Sequence, residues 1–266
     1  MAVSQAEKGE AFRRLHAGEP FVIPNPWDAG SARMLAAFGF PALATTSSGL
    51  AFTRGRRDGA VRLDDVVAHV AELADEVELP VSVDLEHGHA TDAGGVAAAV
   101  ERVAEAGAVG ASIEDYDPTN GRLFDRGEAV ERLEAAVAAA RGVPFPFVLT
   151  GRTENHIRGN PDLDDTIERL QAYEAAGADV LYAPGLRSLE EMRAVCAAVG
   201  KPVNVLARSD LTFDEIAGAG AQRVSLGGSL TWSAVGAAAA AAEAIRDRGD
   251  FSLLRPSPPL DHWFGG

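Results

Sequence analysis

Short apolar runs rich in β-branched residues alternate with longer stretches of helical period along almost the whole chain. The runs at 21–23, 42–45, 80–84, 109–114, 147–152, 179–183, 202–206 and 222–226 have strand length, and turn formers bound them, as Pro24 and Pro26 do after the first. Between and after them, stretches at 28–38, 64–77, 95–106, 128–140, 164–176, 189–199, 212–218 and 230–246 predict helices. An amphipathic segment at 6–16 predicts one more ahead of the first strand. Asp28 and the Asp64-Asp65 pair suit helix starts, whereas Gly39, Gly107 and Gly177 suit helix ends.

Each crossover helix returns the chain in the same direction, so eight strand-helix pairs make a parallel sheet. Three helices run into the next strand through the same Ala-Gly-Ala step, at 106–108, 176–178 and 219–221. Eight such units predict an α/β fold, a closed (β/α)8 barrel of the TIM type with an extra N-terminal helix. An open doubly wound sheet is the competing arrangement, but no GxGxxG turn follows the first strand, so a dinucleotide site has no support. Residues 1–250 are expected to form one catalytic barrel. The Pro-rich tail at 251–266 cannot be another barrel unit, and its Trp263-Phe264 pair is expected to pack on the barrel or on a neighbouring subunit of a homo-oligomer, dimer or tetramer.

Composition narrows the class. With 266 residues, 47% of them hydrophobic, the chain can bury a sizeable core in one domain. Its formal net charge of −15 argues against nucleic acid or an anionic membrane surface as partner. Cys196 is the single cysteine and falls within a helical pattern, which leaves neither an internal disulfide nor a Cys-rich zinc site. No segment has the form of a signal peptide or a membrane span, so a cytoplasmic location is expected.

The chemistry gathers where strands end. Asp84, Glu86, His87 and His89 crowd the end of the third strand. In a parallel barrel the strand ends converge on one mouth, where Ser47, Ser48 and Gly49, from a small polar turn expected at 46–49, would meet Glu114 and Asp115, and Arg152, Thr153 and Glu154. Several carboxylates in one cavity cannot all ionise without a cation. Oxygen ligation with few protein contacts and several waters suits Mg2+, or Mn2+, better than zinc. Arg152 ends a strand of apolar residues, and its structural reading is an ion pair with Glu114 or Glu154.

The strings NPWDAGSAR at 25–33, SSGL at 47–50, the loop acid Asp58, VDLEHG at 83–88, IED at 113–115 and GRTE at 151–154 resemble, in order, the isocitrate lyase/phosphoenolpyruvate mutase superfamily. The resemblance implies Mg2+ at the mouth, with metal-shell roles for Asp58, Asp84, Glu86 and Glu114. It also implies substrate contacts from Ser48, Gly49, Leu50, Trp27 and Arg152, and catalytic roles for Arg152, Glu114 and Asn120. Two departures stand out. The superfamily's usual DxDTGxG is here Asp84-Leu85-Glu86-His87-Gly88-His89, and the loop at 115–127 lacks the KxCGH-type cysteine of isocitrate and methylisocitrate lyases. The expected activity is therefore a Mg2+-dependent lyase, other than those two, cleaving a carbon-carbon bond of a small 2-oxo or 2-hydroxy carboxylate through an enolate. Carbon-phosphorus chemistry of the mutase or phosphonopyruvate hydrolase type, with Arg122 or Arg126 as a second cation, is the alternative, and a non-catalytic ligand-binding barrel is the third reading. The loop at 115–127 is expected to be a mobile gate with Asn120 as its working residue.

Overall fold

A computed structural model describes residues 3–258 and 260–264. Eight parallel strands form one sheet: β1 (Phe21–Ile23), β2 (Leu43–Ala44), β3 (Val81–Asp84), β4 (Gly110–Glu114), β7 (Val148–Arg152), β8 (Val180–Tyr182), β9 (Val203–Leu206) and β10 (Arg223–Ser225). Their order is β1-β10-β9-β8-β7-β4-β3-β2. The Ala44 amide donates to the Pro24 carbonyl at 3.1 Å, which links the two ends of that order and all but closes the barrel. A two-stranded antiparallel hairpin, β5 (Tyr116–Asp117) with β6 (Arg122–Leu123), interrupts the alternation between β4 and the helix that follows.

The outer layer consists of α2 (Ala29–Ala37), α4 (Leu63–Glu76), α5 (Ala93–Glu105), α6 (Arg126–Gly142), α7 (Leu163–Ala175), α8 (Leu189–Ala198) and α9 (Phe213–Gly218), with α1 (Gln5–Leu15) ahead of the first strand. Side-chain caps start most of them: the Asp28, Asp92, Asp162, Ser188 and Thr212 side chains each accept an amide from the first turn. The Ala-Gly-Ala steps end three of them. Gly107 has φ 108°, a left-handed value that spares the helix end a side chain, and an added Cβ there would lie 2.6 Å from the Ala74 Cβ. The main core lies between the strands and helices α4 to α9, with Leu85, Leu149, Leu170 and Leu181 fully buried.

One element departs from the sequence reading. The Thr46–Gly49 segment, expected as a polar turn, opens α3 (Ser47–Thr53), whose N-cap is the Thr46 hydroxyl. The eighth helix, α10 (Ser229–Arg248), buries only Thr231, Ala241 and Ala244 of its twenty residues, so most of its Ala-rich surface is exposed. In the tail, a short turn of helix α11 (Asp261–Phe264) brings the Trp263 ring edge-on to Phe38, with centroids 6.0 Å apart. Pro259, Gly265 and Gly266 lie outside the described residues. Among the described residues no helix is long and apolar enough to cross a membrane.

His69 sits on the buried face of α4, 2% exposed, with its Nε2 unpartnered. Burial, helped by Arg54 and opposed by Asp28, lowers its pKa to about 4. The unfolded chain therefore takes up the proton from about pH 6.5 downward and the folded chain does not, so this contribution to stability is lost as pH falls from 6.5 towards 4. Urea titrations across that window should show a steeper decline for the native chain than for His69→Leu, by at most about 1.4 kcal/mol per pH unit. Equal slopes would remove His69 as the cause.

Candidate active site at the barrel mouth

β3 stops at Asp84, and the loop after it turns sharply. Glu86 and His89 have φ of 48° and 50°, unusual for residues with side chains. Four hydrogen bonds hold this backbone: Gly88 N to Leu85 O and Glu114 N to Glu86 O, at 2.8 and 2.9 Å, and Arg132 Nη2 to the His87 and Ala90 carbonyls, both at 2.8 Å. The turn leaves the Glu86 side chain almost buried, with its Oε1 3.4 Å from His89 Nε2.

Register brings the other groups in. β4 pairs with β7 so that Glu114 stands opposite Arg152. The Arg152 Nε lies 2.6 Å from Glu154 Oε1 and 3.4 Å from Glu114 Oε2, and its Nη1 lies 3.4 Å from Asp84 Oδ1. Its guanidinium also sits 5.3 Å from the centre of the Tyr182 ring. Arg158 adds a second cation, bonded to Glu154 Oε2 at 2.9 Å and stacked 3.6 Å over the Tyr116 ring. Two guanidinium groups thus pair with three carboxylates, those of Asp84, Glu114 and Glu154, while a fourth, Glu86, has His89 rather than an arginine within ion-pair distance. The charge does not balance. Burial first, then Asp84 and Asp58, push the Glu86 carboxyl up to about 8 against the pull of Arg152 and Arg158. Burial likewise drives Glu114 upward against the pull of Arg152, and Glu154, Asp84 and Glu86 add to the rise. Burial alone would pull the Arg152 guanidinium down, but Glu114, Glu154 and Asp84 raise it further.

Arg152 lies between two spaces. Outside it is a cavity of about 450 Å3, whose lining includes Ser47, Arg57, Asp58, Glu86, Glu114 and Arg158. Inside is a chamber of about 50 Å3 on the barrel axis, lined by Asp84, Tyr182, Asn204 and Ser225 among others. Among the described residues no three His, Cys, Asp or Glu side chains enclose a single point as a ready cation cage. The donor set still fits a hard cation that keeps most of its own waters, because its members are carboxylates short of positive charge.

Several expected contacts fall elsewhere. The Gly49 and Leu50 amides are engaged within α3, donating to Thr46 Oγ1 at 3.4 Å and to Thr46 O at 3.0 Å, and the Leu50 side chain is in the core. Ser48 keeps its hydroxyl 3.1 Å from that of Thr46, while the Ser47 amide donates to Asp84 Oδ2 at 3.1 Å. Trp27 lines neither space, and its Cβ lies 3.0 Å from where a Cβ on Gly49 would stand. Asn120 sits at the hairpin tip, where its Nδ2 donates to Asp117 Oδ2 at 2.6 Å, and it does not touch Arg152. Asp115 turns away from the mouth. It is buried and accepts Tyr173 OH, Glu154 N, Thr153 Oγ1 and Arg169 Nη1 at 2.6 to 3.1 Å. Arg122 and Arg126, expected as second cations, pair with Asp125 and Glu168.

The phosphoenolpyruvate phosphomutase family profile matches residues 12–246, most of the chain. The chain belongs to this family. It thereby joins the isocitrate lyase/phosphoenolpyruvate mutase superfamily of lyases and mutases, with the same barrel. A provisionally assigned lyase/mutase from Burkholderia cenocepacia J2315 is 49% identical over 98% of both chains, with a TM-score of 0.95. Oxaloacetate decarboxylase of Rhodopseudomonas palustris (strain ATCC BAA-98 / CGA009) and 2-methylisocitrate lyase of Escherichia coli (strain K12) are each 32% identical over 73% of this chain and 68% of theirs. Oxaloacetate acetylhydrolase, solved with the product oxalate, is 29% identical over 97% of this chain and 92% of its own, with a TM-score of 0.85. Phosphonopyruvate hydrolase, solved with oxalate and Mg2+, is 24% identical with a TM-score of 0.83, and shares the fold.

Within this family frame, the sequence reading missed Arg158, Tyr182 and Tyr116. Tyr182 could have been found by following the sixth parallel strand to its end, as was done for Arg152. Arg158 follows Glu154 by four residues but in turns, where no periodicity announces the pairing. Asp115, read as part of the mouth, instead ties β4 and the β7 end to α7. Asp115→Asn should lower the unfolding free energy in urea by about 3 kcal/mol, since it removes the buried charge partner of Arg169, leaving it only the half-buried Asp165, and weakens the bonds from Tyr173 and Thr153. A loss below about 1 kcal/mol would contradict that role.

Proposed function

We propose that this chain is a Mg2+-dependent lyase that breaks a carbon-carbon bond beside the carbonyl of a small 2-oxo or 2-hydroxy carboxylate, decarboxylation included. The observation that carries this reading is the surplus of carboxylates around one buried guanidinium, Arg152, at the barrel mouth. Asp84, Glu86 and Glu114 would hold Mg2+, partly through water, with Asp58 in the outer shell. When bound, the ion supplies the positive charge the site lacks and polarises a carbonyl oxygen of the substrate.

The chain's own residues do the rest. Arg152 binds the substrate carboxylate, fixed by Glu154 behind it and by the Tyr182 ring beside it. At the start of α3 the Ser48 hydroxyl, beside that of Thr46, is a further donor for the same carboxylate. With a 2-oxo substrate the electron pair of the broken bond stays with the 2-oxo fragment as an enolate, the other fragment leaves as carbon dioxide or a carbonyl compound, and a proton from solvent completes the product. With a 2-hydroxy substrate a carboxylate of the site takes the hydroxyl proton, the hydroxyl-bearing fragment leaves as the 2-oxo acid, and the electron pair stays with the other fragment as an enolate that a proton completes. The hairpin at 115–127 acts as the gate that keeps water from the enolate until then, with Asn120 released from Asp117 on closing. Phe124, buried at the hairpin's base, confines that motion to the tip.

Isocitrate and methylisocitrate lyase activities do not fit, despite the 32% identity to a 2-methylisocitrate lyase. The hairpin carries neither cysteine nor lysine, and Cys196 lies on α8 with its thiol pushed up to about 11 by burial. Carbon-phosphorus cleavage is the second reading, favoured by Arg158 and Arg57 as extra cations at the outer cavity. A homo-oligomer is proposed as well, supported by the exposed α10 face and by Trp232 and Phe52 exposed beside each other.

The test is a screen of 2-oxo acids, malate derivatives and phosphonates with Mg2+. Release of a shorter 2-oxo acid or carbon dioxide supports the lyase, phosphate release the second reading, and no turnover of any of them a binding protein. On the substrate found, Asp84→Ala and Arg152→Lys should each cost at least about a hundredfold in kcat/KM, the latter because lysine cannot reproduce a two-pronged grip. Unchanged Mg2+ affinity of Asp84→Ala in calorimetry would refute the metal assignment.

A further inference from the structure

The loop after β3 carries two imidazoles that the chemistry above leaves unused. His87 and His89, with ring centroids 5.6 Å apart, line a second hollow of about 340 Å3 between that loop and the hairpin. His87 and Pro118 line both this hollow and the outer cavity, so the two spaces adjoin. The rings are held in place. Arg132 bonds the backbone on both sides of Gly88, and His89 occupies the left-handed region.

His89 Nε2 is buried and turned to the Glu86 carboxylate, 3.4 Å away, without a hydrogen bond to it. The rest of the His89 ring is what it offers to the hollow, beside His87. The other polar groups around the hollow are already engaged or acidic. Asn120 is bonded to Asp117, Arg122 is paired with Asp125, and Asp117 and Glu128 complete the lining. Two acids beside one paired arginine disfavour an anionic guest.

We propose that this hollow is the subsite for the far end of the substrate, that His87 and His89 select an uncharged hydroxyl-bearing end there, and that they are specificity residues. This rests on the lyase reading and specifies its substrate class. The experiment compares 2-oxo acids of equal length ending in hydroxyl, methyl or carboxylate, by kcat/KM, in the native chain and in His87→Ala, His89→Ala and His89→Asn. Calorimetric binding of the matched 2-hydroxy acids runs in parallel. The native chain should favour the hydroxyl end over methyl by about tenfold or more, the alanine variants should bring that ratio near one, and His89→Asn should restore part of it. A native ratio near one, a preference for the carboxylate end, or a ratio unchanged in both alanine variants would overturn the subsite. Should an alanine variant not fold, the native ratio and His89→Asn decide. A chain that turns over no 2-oxo acid sinks the lyase reading, while the binding ratios still decide the subsite.

Discussion

One arginine is shared by three carboxylates, and the arrangement of the mouth follows from that. Arg152 is fixed by Glu154 from its own strand end, by Glu114 across the β4–β7 register and by Asp84 from β3. In bulk water such contacts are worth little, but in a nearly buried cluster the desolvation cost of each charge is large and only mutual pairing offsets it. Pairing here is incomplete: two carboxyls, Glu86 and Glu114, are driven upward. A site that holds more acid than base suits a cation, and under the proposed function a metal ion would bring that charge while the substrate's carboxylate meets Arg152.

The same strand end supports the fold on its other side. Successive residues of a strand point to opposite faces, so Glu114 enters the mouth while Asp115 enters the helix layer, where Arg169 and Tyr173 meet it. Because the Glu154 amide also donates to Asp115, the residue that fixes Arg152 is itself fixed from behind. A site assembled from charges that oppose one another needs such rigid backing, and the parallel barrel supplies it from adjacent strands.

Much of this was legible in the sequence. Eight apolar runs, the Ala-Gly-Ala steps and acids at the strand ends were enough for the barrel, and the same strand-end logic placed Asp84, Glu114 and Arg152 in contact range. The misreadings share a cause: each depends on local hydrogen bonding that side-chain periodicity does not report. Thr46 caps a helix where small polar residues suggested a turn, so the Gly49 and Leu50 amides are engaged inside it. The tie of Asn120 at the hairpin tip, where Asp117 collects the tip amides and holds its side chain, is local bonding of the same kind and equally silent in the periodicity. The exposed face of α10 was also not foreseeable, because an Ala-rich helix reads alike whether it covers a sheet or projects from it.

The central claim is that the unbalanced carboxylates receive a divalent cation while Arg152 receives the substrate's carboxylate. Diffraction from crystals grown with Mn2+ and oxalate, using the anomalous signal of the metal, tests it most directly. The account predicts one Mn2+ among Asp84, Glu86 and Glu114, reached directly or through water, with oxalate lying between the ion and Arg152. Metal bound elsewhere, or oxalate with no contact to Arg152, would contradict it.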